Sequence, residues 1–202
     1  MEEQELIENA RQGDLEAFNQ LVLNYQTTVY NQAWYMLLDE DAAEDITQET
    51  FILAFRKLDH FRGGSFRSWL LHIAANASKD ELRRIKRRPA LSLTQMNEYD
   101  EEIESNAWLK DPGASVEETA EHNELRATIQ RCIAGLPDCY RQAVILVDLL
   151  EMDYSEAAEA MHVPLGTVKS RLTRARMKLR RRLESSAGWQ PNRMLAPACP
   201  AA

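Results

Sequence analysis

Between Gly166 and Leu183 the chain carries Lys169, Arg171, Arg174, Arg176, Lys178, Arg180, Arg181 and Arg182, and no carboxylate. Ammonium and guanidinium groups at that density can neutralise phosphates and donate hydrogen bonds to base edges. The stretch before it, Tyr154-Ser-Glu-Ala-Ala-Glu-Ala-Met161, is a short helix rich in small residues. His162-Val-Pro-Leu165 makes a turn, since Pro164 cannot continue a helix. Together they read as a helix-turn-helix whose second helix lies in a DNA major groove. That helix is expected to open at Gly166 or Thr167. Val168, Leu172, Ala175 and Leu179 fall on its buried side, with Lys169, Ser170, Thr173 and Arg174 opposite. Arg180–Arg182 are expected to meet phosphate or solvent. Ser155 is expected to cap the first helix, against which Ala157, Ala158 and Met161 pack. The competing reading is an amphipathic packing helix with a solvated basic face.

Two further constellations lie upstream. Asp41-Ala-Ala-Glu-Asp-Ile-Thr-Gln-Glu-Thr-Phe51 offers an acid- and amide-rich helix face, suited to a basic partner. Phe61-Arg-Gly-Gly-Ser-Phe-Arg-Ser-Trp-Leu-Leu-His-Ile-Ala-Ala-Asn76 pairs aromatics with arginines beside a glycine loop. That mixture suits single-stranded nucleic acid, where bases stack on rings and cations follow the backbone. The alternative for Phe66 and Trp69 is a core position, because both sit on an apolar stripe. No paired carboxylates, metal ligands or nucleophile–base set have meaningful spacing, so no catalytic residue, metal or cofactor is expected. Cys132 and Cys139 read as small packing residues, and Cys199 sits in a tail. His60, His72, His122 and His162 are assigned no catalysis.

The elements that must position these groups are all helical. Leu6, Ile7 and Ala10 mark a first short helix. Phe18, Leu21, Val22, Tyr25, Val29 and Ala33 recur at helical steps after Gly13-Asp14. Ile46, Thr50, Leu53 and Ala54 line the next helix, after a break at 39–41. Phe66, Trp69, Leu70, Ile73, Ala74 and Ala77 form another stripe beyond Gly63-Gly64. It runs into Lys79, Arg83, Arg84, Lys86, Arg87 and Arg88. Pro89 is expected to end this first helical domain. From Ala90 the chain turns acidic and aperiodic, a linker composition. A second helical set starts near Asn123 and includes an apolar helix from Tyr140 to Leu150. The fold expected is all-α: two small helical domains, 1–89 and 123–184, joined by a flexible acidic linker, 90–122, with a flexible tail, 185–202. The chain has 202 residues, 45% hydrophobic, and a net charge of −8. The acidic total hides two basic patches, and non-specific attraction follows local patches. No apolar run nears the roughly 18 residues of a membrane span, and MEEQELIENA lacks the order of a signal peptide. A soluble, cytoplasmic protein without membrane insertion is expected.

Taken together, these motifs resemble the extracytoplasmic-function (group IV) sigma factors of bacterial RNA polymerase. The resemblance runs to about Leu183 and includes DITQETF, FRGGSFRSWL, LPDCYRQAVIL and VPLGTVKSRLTRAR. It implies a non-enzymatic promoter-specificity subunit that serves transcription initiation and regulation, of the stress-response type. Its implied partners are core RNA polymerase (the beta-prime clamp helices and the beta flap), promoter DNA and a cognate anti-sigma factor. The polymerase contact falls on Asp45, Gln48 and Glu49. The −10 contact falls on Phe61, Arg62, Gly63, Ser65, Phe66, Asn76, Lys79 and Arg83, with Asn76 supplying hydrogen bonds to an unstacked base. The −35 contact falls on Lys169, Ser170, Thr173 and Arg174, with Ser155 beside them and Arg141 as a phosphate clamp. The rival is a stand-alone helix-turn-helix regulator, which leaves the first domain's motifs idle.

Overall fold

The computed structural model describes residues 2–87 and 116–185. Arg88 and the expected domain end at Pro89, residues 90–115 of the expected linker, and the tail from residue 186 with Cys199 lie outside the described residues, as does the His122 side chain. Helices α1 (Glu3–Arg11), α2 (Leu15–Leu37), α3 (Glu40–Lys57) and α4 (Phe66–Arg87) form the first half. Helices α5 (Val116–Ala134), α6 (Asp138–Val144), α7 (Tyr154–Met161) and α8 (Leu165–Ser185) form the second. A 3₁₀ turn, Leu58–His60, follows α3, and α6 runs on as a π-helical segment, Ile145–Leu149. Among the described residues there is no strand, and the architecture is all-α.

Helix starts are set by short acids. Asp14 accepts from the backbone N–H of Glu16 (2.9 Å) and Ala17 (3.2 Å), and Asp39 from Ala42 (2.8 Å). Each satisfies amides that the helix cannot pair itself, a cap contributing about 1 kcal/mol. At α7 the cap is Asp153, not Ser155: its carboxylate accepts from Ser155 N (2.7 Å) and Glu156 N (2.8 Å), while Asp153 N donates to Glu156 (3.3 Å). The reciprocal pair is a capping box, which needs the glutamate three residues on that Asp153 has and Ser155 lacks. Helix α8 opens at Leu165, directly after Pro164, and α5 starts at Val116, ahead of the expected Asn123.

The apolar stripes close into cores. Leu21, Val29, Ala33, Leu70 and Ala74 are fully buried, as are Val168 and Ala175 on α8. The largest core does not stop at the expected domain boundary. Leu6, Phe18, Phe51, Phe66 and Leu71 continue into Leu146, Met152, Ala157, Ala160 and Val168. Helix α4 therefore packs directly on α7, the first helix of the helix-turn-helix. Polar contacts follow the same seam. Arg67 Nη2 donates to Leu150 O (2.6 Å), Ser68 Oγ to Glu156 O (3.1 Å) and Arg141 Nη1 to Met36 O (2.6 Å).

Candidate nucleic-acid interface

The loop between the 3₁₀ turn and α4 is fixed at both ends. From α1, Arg11 reaches over to donate to the carbonyls of Leu58 (3.3 Å) and Phe61. Ser65 caps α4, its Oγ accepting from Ser68 N (3.1 Å). Between them Gly63 (φ 92°) and Gly64 (φ 89°) hold left-handed backbone that a Cβ would strain. The loop's aromatics point inward. Phe61, Phe66 and Trp69 form a mutual ring cluster with centroids 5.3–5.5 Å apart, and Phe61 and Phe66 are only 5% and 2% exposed. Their faces are spent on each other, so in this packing the loop presents Arg62, Gly63, Gly64 and Ser65. Phe61 and Phe66 act from beneath it.

Farther along α4, Asn76 is exposed and Lys79 half-buried. Asn76 Nδ2 lies 2.9 Å from His72 Nε2, and His72 Nδ1 lies 2.9 Å from Ala160 O of α7. A carbonyl only accepts, so His72 carries its proton on Nδ1 and accepts from Asn76 on Nε2. The His72 ring also stacks on His162, centroids 3.7 Å apart. Burial pushes the His72 pKa below its ordinary 6.5, and the neighbouring His162, Lys79 and Lys57 add to that. The Lys79 ammonium is lowered by burial and then by Arg171 of α8. The Asn76 amide is thus linked to the helix-turn-helix through one histidine. Sequence reasoning missed His72, because its partners lie across the chain.

The basic end of α4 is less positive than its cations suggest. Arg83 pairs with Asp80 (2.7 Å) and Arg84 with Glu81 (2.5 Å), both one turn back. On α3, Asp45, Gln48 and Glu49 are all exposed on one face. Ile52 (51% exposed) and Phe55 (41%) continue that face, and neither was singled out from sequence.

Helix α8 holds Lys169, Ser170, Thr173 and Arg174 together, all exposed, opposite the buried Val168, Leu172 and Ala175. The Ser170 and Thr173 hydroxyls donate to the carbonyls of Thr167 (3.0 Å) and Lys169 (2.9 Å). Ser155 is exposed at the start of α7. The remaining cations divide. Arg176 forms two hydrogen bonds to Asp148 (3.2 and 2.5 Å), Arg180 pairs with Glu184 (2.7 Å), and Arg182 donates to Cys132 O (3.2 Å). Arg141 stands apart from this face. It is 8% exposed and donates to Met36 O, Ala134 O and Leu136 O. Its guanidinium ties three carbonyls of the interior, where the sequence suggested a phosphate clamp. Among the described residues no group of His, Cys, Asp or Glu could hold a metal ion, and no helix is long and apolar enough to cross a membrane.

Comparison with known proteins follows the same division. The family profile for Sigma-70 region 2 matches residues 21–88, and that for Sigma-70, region 4 matches residues 126–179. The chain is 36% identical over 184 residues to the RNA polymerase sigma-H factor of Pseudomonas aeruginosa, covering 91% of this chain and 94% of that protein. It is 40% identical over 175 residues to the ECF RNA polymerase sigma-E factor of Escherichia coli K12, covering 86% and 90%. Its fold resembles that of the sigma factor RpoE of Bartonella quintana, solved in complex with the anti-sigma factor NepR. There the TM-score is 0.61 with 23% identity, over 84% of this chain and 98% of that one.

Proposed function

The chain belongs to the sigma-70 family of RNA polymerase sigma factors, in its extracytoplasmic-function branch, and from that premise we propose how its surfaces divide the work of starting transcription. Such a factor is a promoter-recognition subunit, not an enzyme. The stand-alone regulator is not favoured, since it gives residues 21–88 nothing to do.

Residues 1–89 act as the region 2 domain and 123–184 as region 4, with 90–122 as linker and 185–202 as tail. Asp45, Gln48 and Glu49 dock on the beta-prime clamp helices of core polymerase, and the second domain meets the beta flap. Arg62, Gly63, Ser65, Asn76, Lys79 and Arg83 meet the −10 element, over the buried Phe61 and Phe66. Lys169, Ser170, Thr173 and Arg174, with Ser155 nearby, meet the −35 duplex. Arg141 supports that domain from inside. The observation that carries this reading is the pair of segregated exposed faces, acidic on α3 and basic on α8. A net-negative chain thereby approaches both a basic protein surface and DNA.

The closed packing adds a step. Elements centred about 25 base pairs apart lie about 85 Å apart along B-form DNA at 3.4 Å per base pair. Helices that pack directly have axes only about 8–10 Å apart, and α4 packs on α7. The two domains therefore part when both elements are read. Fully extended, residues 88–115 would reach at most about 90–100 Å, which is enough.

The factor works in the cytoplasm beside the polymerase, in an inducible stress-type response. Because the Bartonella quintana relative is held by an anti-sigma factor, a protein of that kind is the proposed inhibitor here. The test is run-off transcription with purified chain and core polymerase on a genomic promoter pool. Discrete start sites that need the chain are expected; no transcript from any promoter would refute the proposal.

A further inference from the structure

We propose that Tyr154 is a positioning residue for the DNA-reading face of α8, its ring holding the ammonium of Lys169 on the side where base edges and phosphates are met. The inference rests on the assignment of Lys169 to the −35 contact and adds a residue to it.

Lys169 Nζ sits over the Tyr154 ring, 5.8 Å from its centroid. An aromatic face is the negative end of the ring's quadrupole and attracts a cation within about 6 Å. Tyr154 is 39% exposed and is the first residue of α7, so the Asp153 capping box fixes its backbone. Two turns beyond Lys169 on α8, Arg176 is clamped by Asp148 of the π-helical segment at 3.2 and 2.5 Å. The Arg176 pKa is raised chiefly by that bond to Asp148, with a smaller contribution from the neighbouring Tyr154. Two elements thus meet at one tyrosine: α7 through its capped backbone and α8 through Lys169.

A lysine's four-carbon stem otherwise spreads its ammonium over many rotamers, all of which are narrowed on binding. A ring beneath the ammonium narrows them before DNA arrives. Alanine at 154 removes ring and hydroxyl, leucine restores volume without a π-face, and phenylalanine keeps the face alone.

The test is a double-mutant cycle on the full-length chain, read by fluorescence anisotropy on a −35 duplex at several salt concentrations. Tyr154→Ala and Tyr154→Leu are expected to weaken binding about two- to five-fold, the range of an exposed cation–π contact. Tyr154→Phe is expected to lose less. The salt slope should stay as in the wild type for all three, because no phosphate contact is removed, whereas Lys169→Ala should lower it by about one. In the Lys169→Ala background, Tyr154→Leu should cost nothing further. Equal loss with and without Lys169 would overturn the proposal and assign Tyr154 to direct DNA contact or to folding. A Lys169→Ala variant that binds like the wild type would instead refute the −35 assignment, and the positioning role with it.

Discussion

Replacing Arg141 separates two roles that one residue could play. Its Nη1 donates to Met36 O at 2.6 Å, and its Nη2 donates to Ala134 O and to Leu136 O, the latter at 3.3 Å. A hydrogen bond from a charged donor contributes about 1.5–3 kcal/mol net. The bond to Met36 is short. Against them stands Nε, buried with no partner among the described residues, and the desolvation that pushes the guanidinium pKa down. The net loss for Arg141→Ala is therefore about 3 kcal/mol, with three carbonyls left facing the interior. At a urea dependence of about 2 kcal/mol per molar, the unfolding midpoint falls by about 1.5 M. Arg141→Met keeps the packing of the stem and should recover part of that fall. The assay is urea unfolding followed by circular dichroism and tryptophan fluorescence, beside −35 duplex binding across salt. The salt slope of the folded variant should match the wild type. A midpoint within about 0.3 M of wild type, with a slope reduced by about 0.9 for one lost phosphate contact, would refute the buried role and restore the phosphate clamp.

Reversing charge with Asp45→Lys and Glu49→Lys should abolish retention on immobilised core polymerase while leaving −35 duplex binding intact; retained polymerase binding would move the docking face elsewhere. The seam between the halves should loosen in acid. With its pKa depressed in the packed state, His72 takes up a proton more readily once the domains part, so packing is at full strength above 6.5 and weakens as pH falls below it. His162, Lys79 and Lys57, the charged groups around it, add only repulsion to that proton. Fluorescence transfer between dyes on α2 and α8 should report wider separation at pH 5.5 than at pH 7.5, and His72→Phe should remove the difference; a distance unchanged with pH would contradict it. Asp153→Ala should cost about 1 kcal/mol in thermal unfolding through the lost cap, and Ser155→Ala much less. The reverse order would return the cap to Ser155.

The helical stripes were legible because burial on one face obeys a fixed period. Leu21, Val29, Leu70, Ala74, Val168 and Leu172 lie where the spacing puts them. The capping box at Asp153 was also legible, as Asp153-Tyr-Ser-Glu156, but a serine beside it drew the assignment. The same holds for Asp80 and Glu81, which sit three residues before the arginines they partly neutralise. Other features could not be found that way. Arg141 lies 105 residues from Met36, so its burial depends on packing between helices far apart in the chain. His72 and His162 meet only because α4 lies on α7. His162 also sits at φ 50°, where a glycine would carry no strain, so its imidazole is kept at a cost that the sequence does not display. The exposed basic face on α8 was visible as composition. Its support, from Tyr154 and from Arg176 on Asp148, was not.

The proposed division of labour is that one protein anchors on duplex DNA through α8 and opens the strands through α4. It is tested most directly by measuring both steps on one promoter, duplex affinity by anisotropy and opening by a fluorescent base analogue in the −10 element, with core polymerase present. Asn76→Ala should keep −35 affinity within about twofold while slowing opening by about tenfold or more, since amide hydrogen bonds to a base contribute about 1–3 kcal/mol. Lys169→Ala should weaken duplex binding in a salt-dependent way and leave opening from the saturated complex unchanged. Equal loss of both steps in both variants would contradict the division.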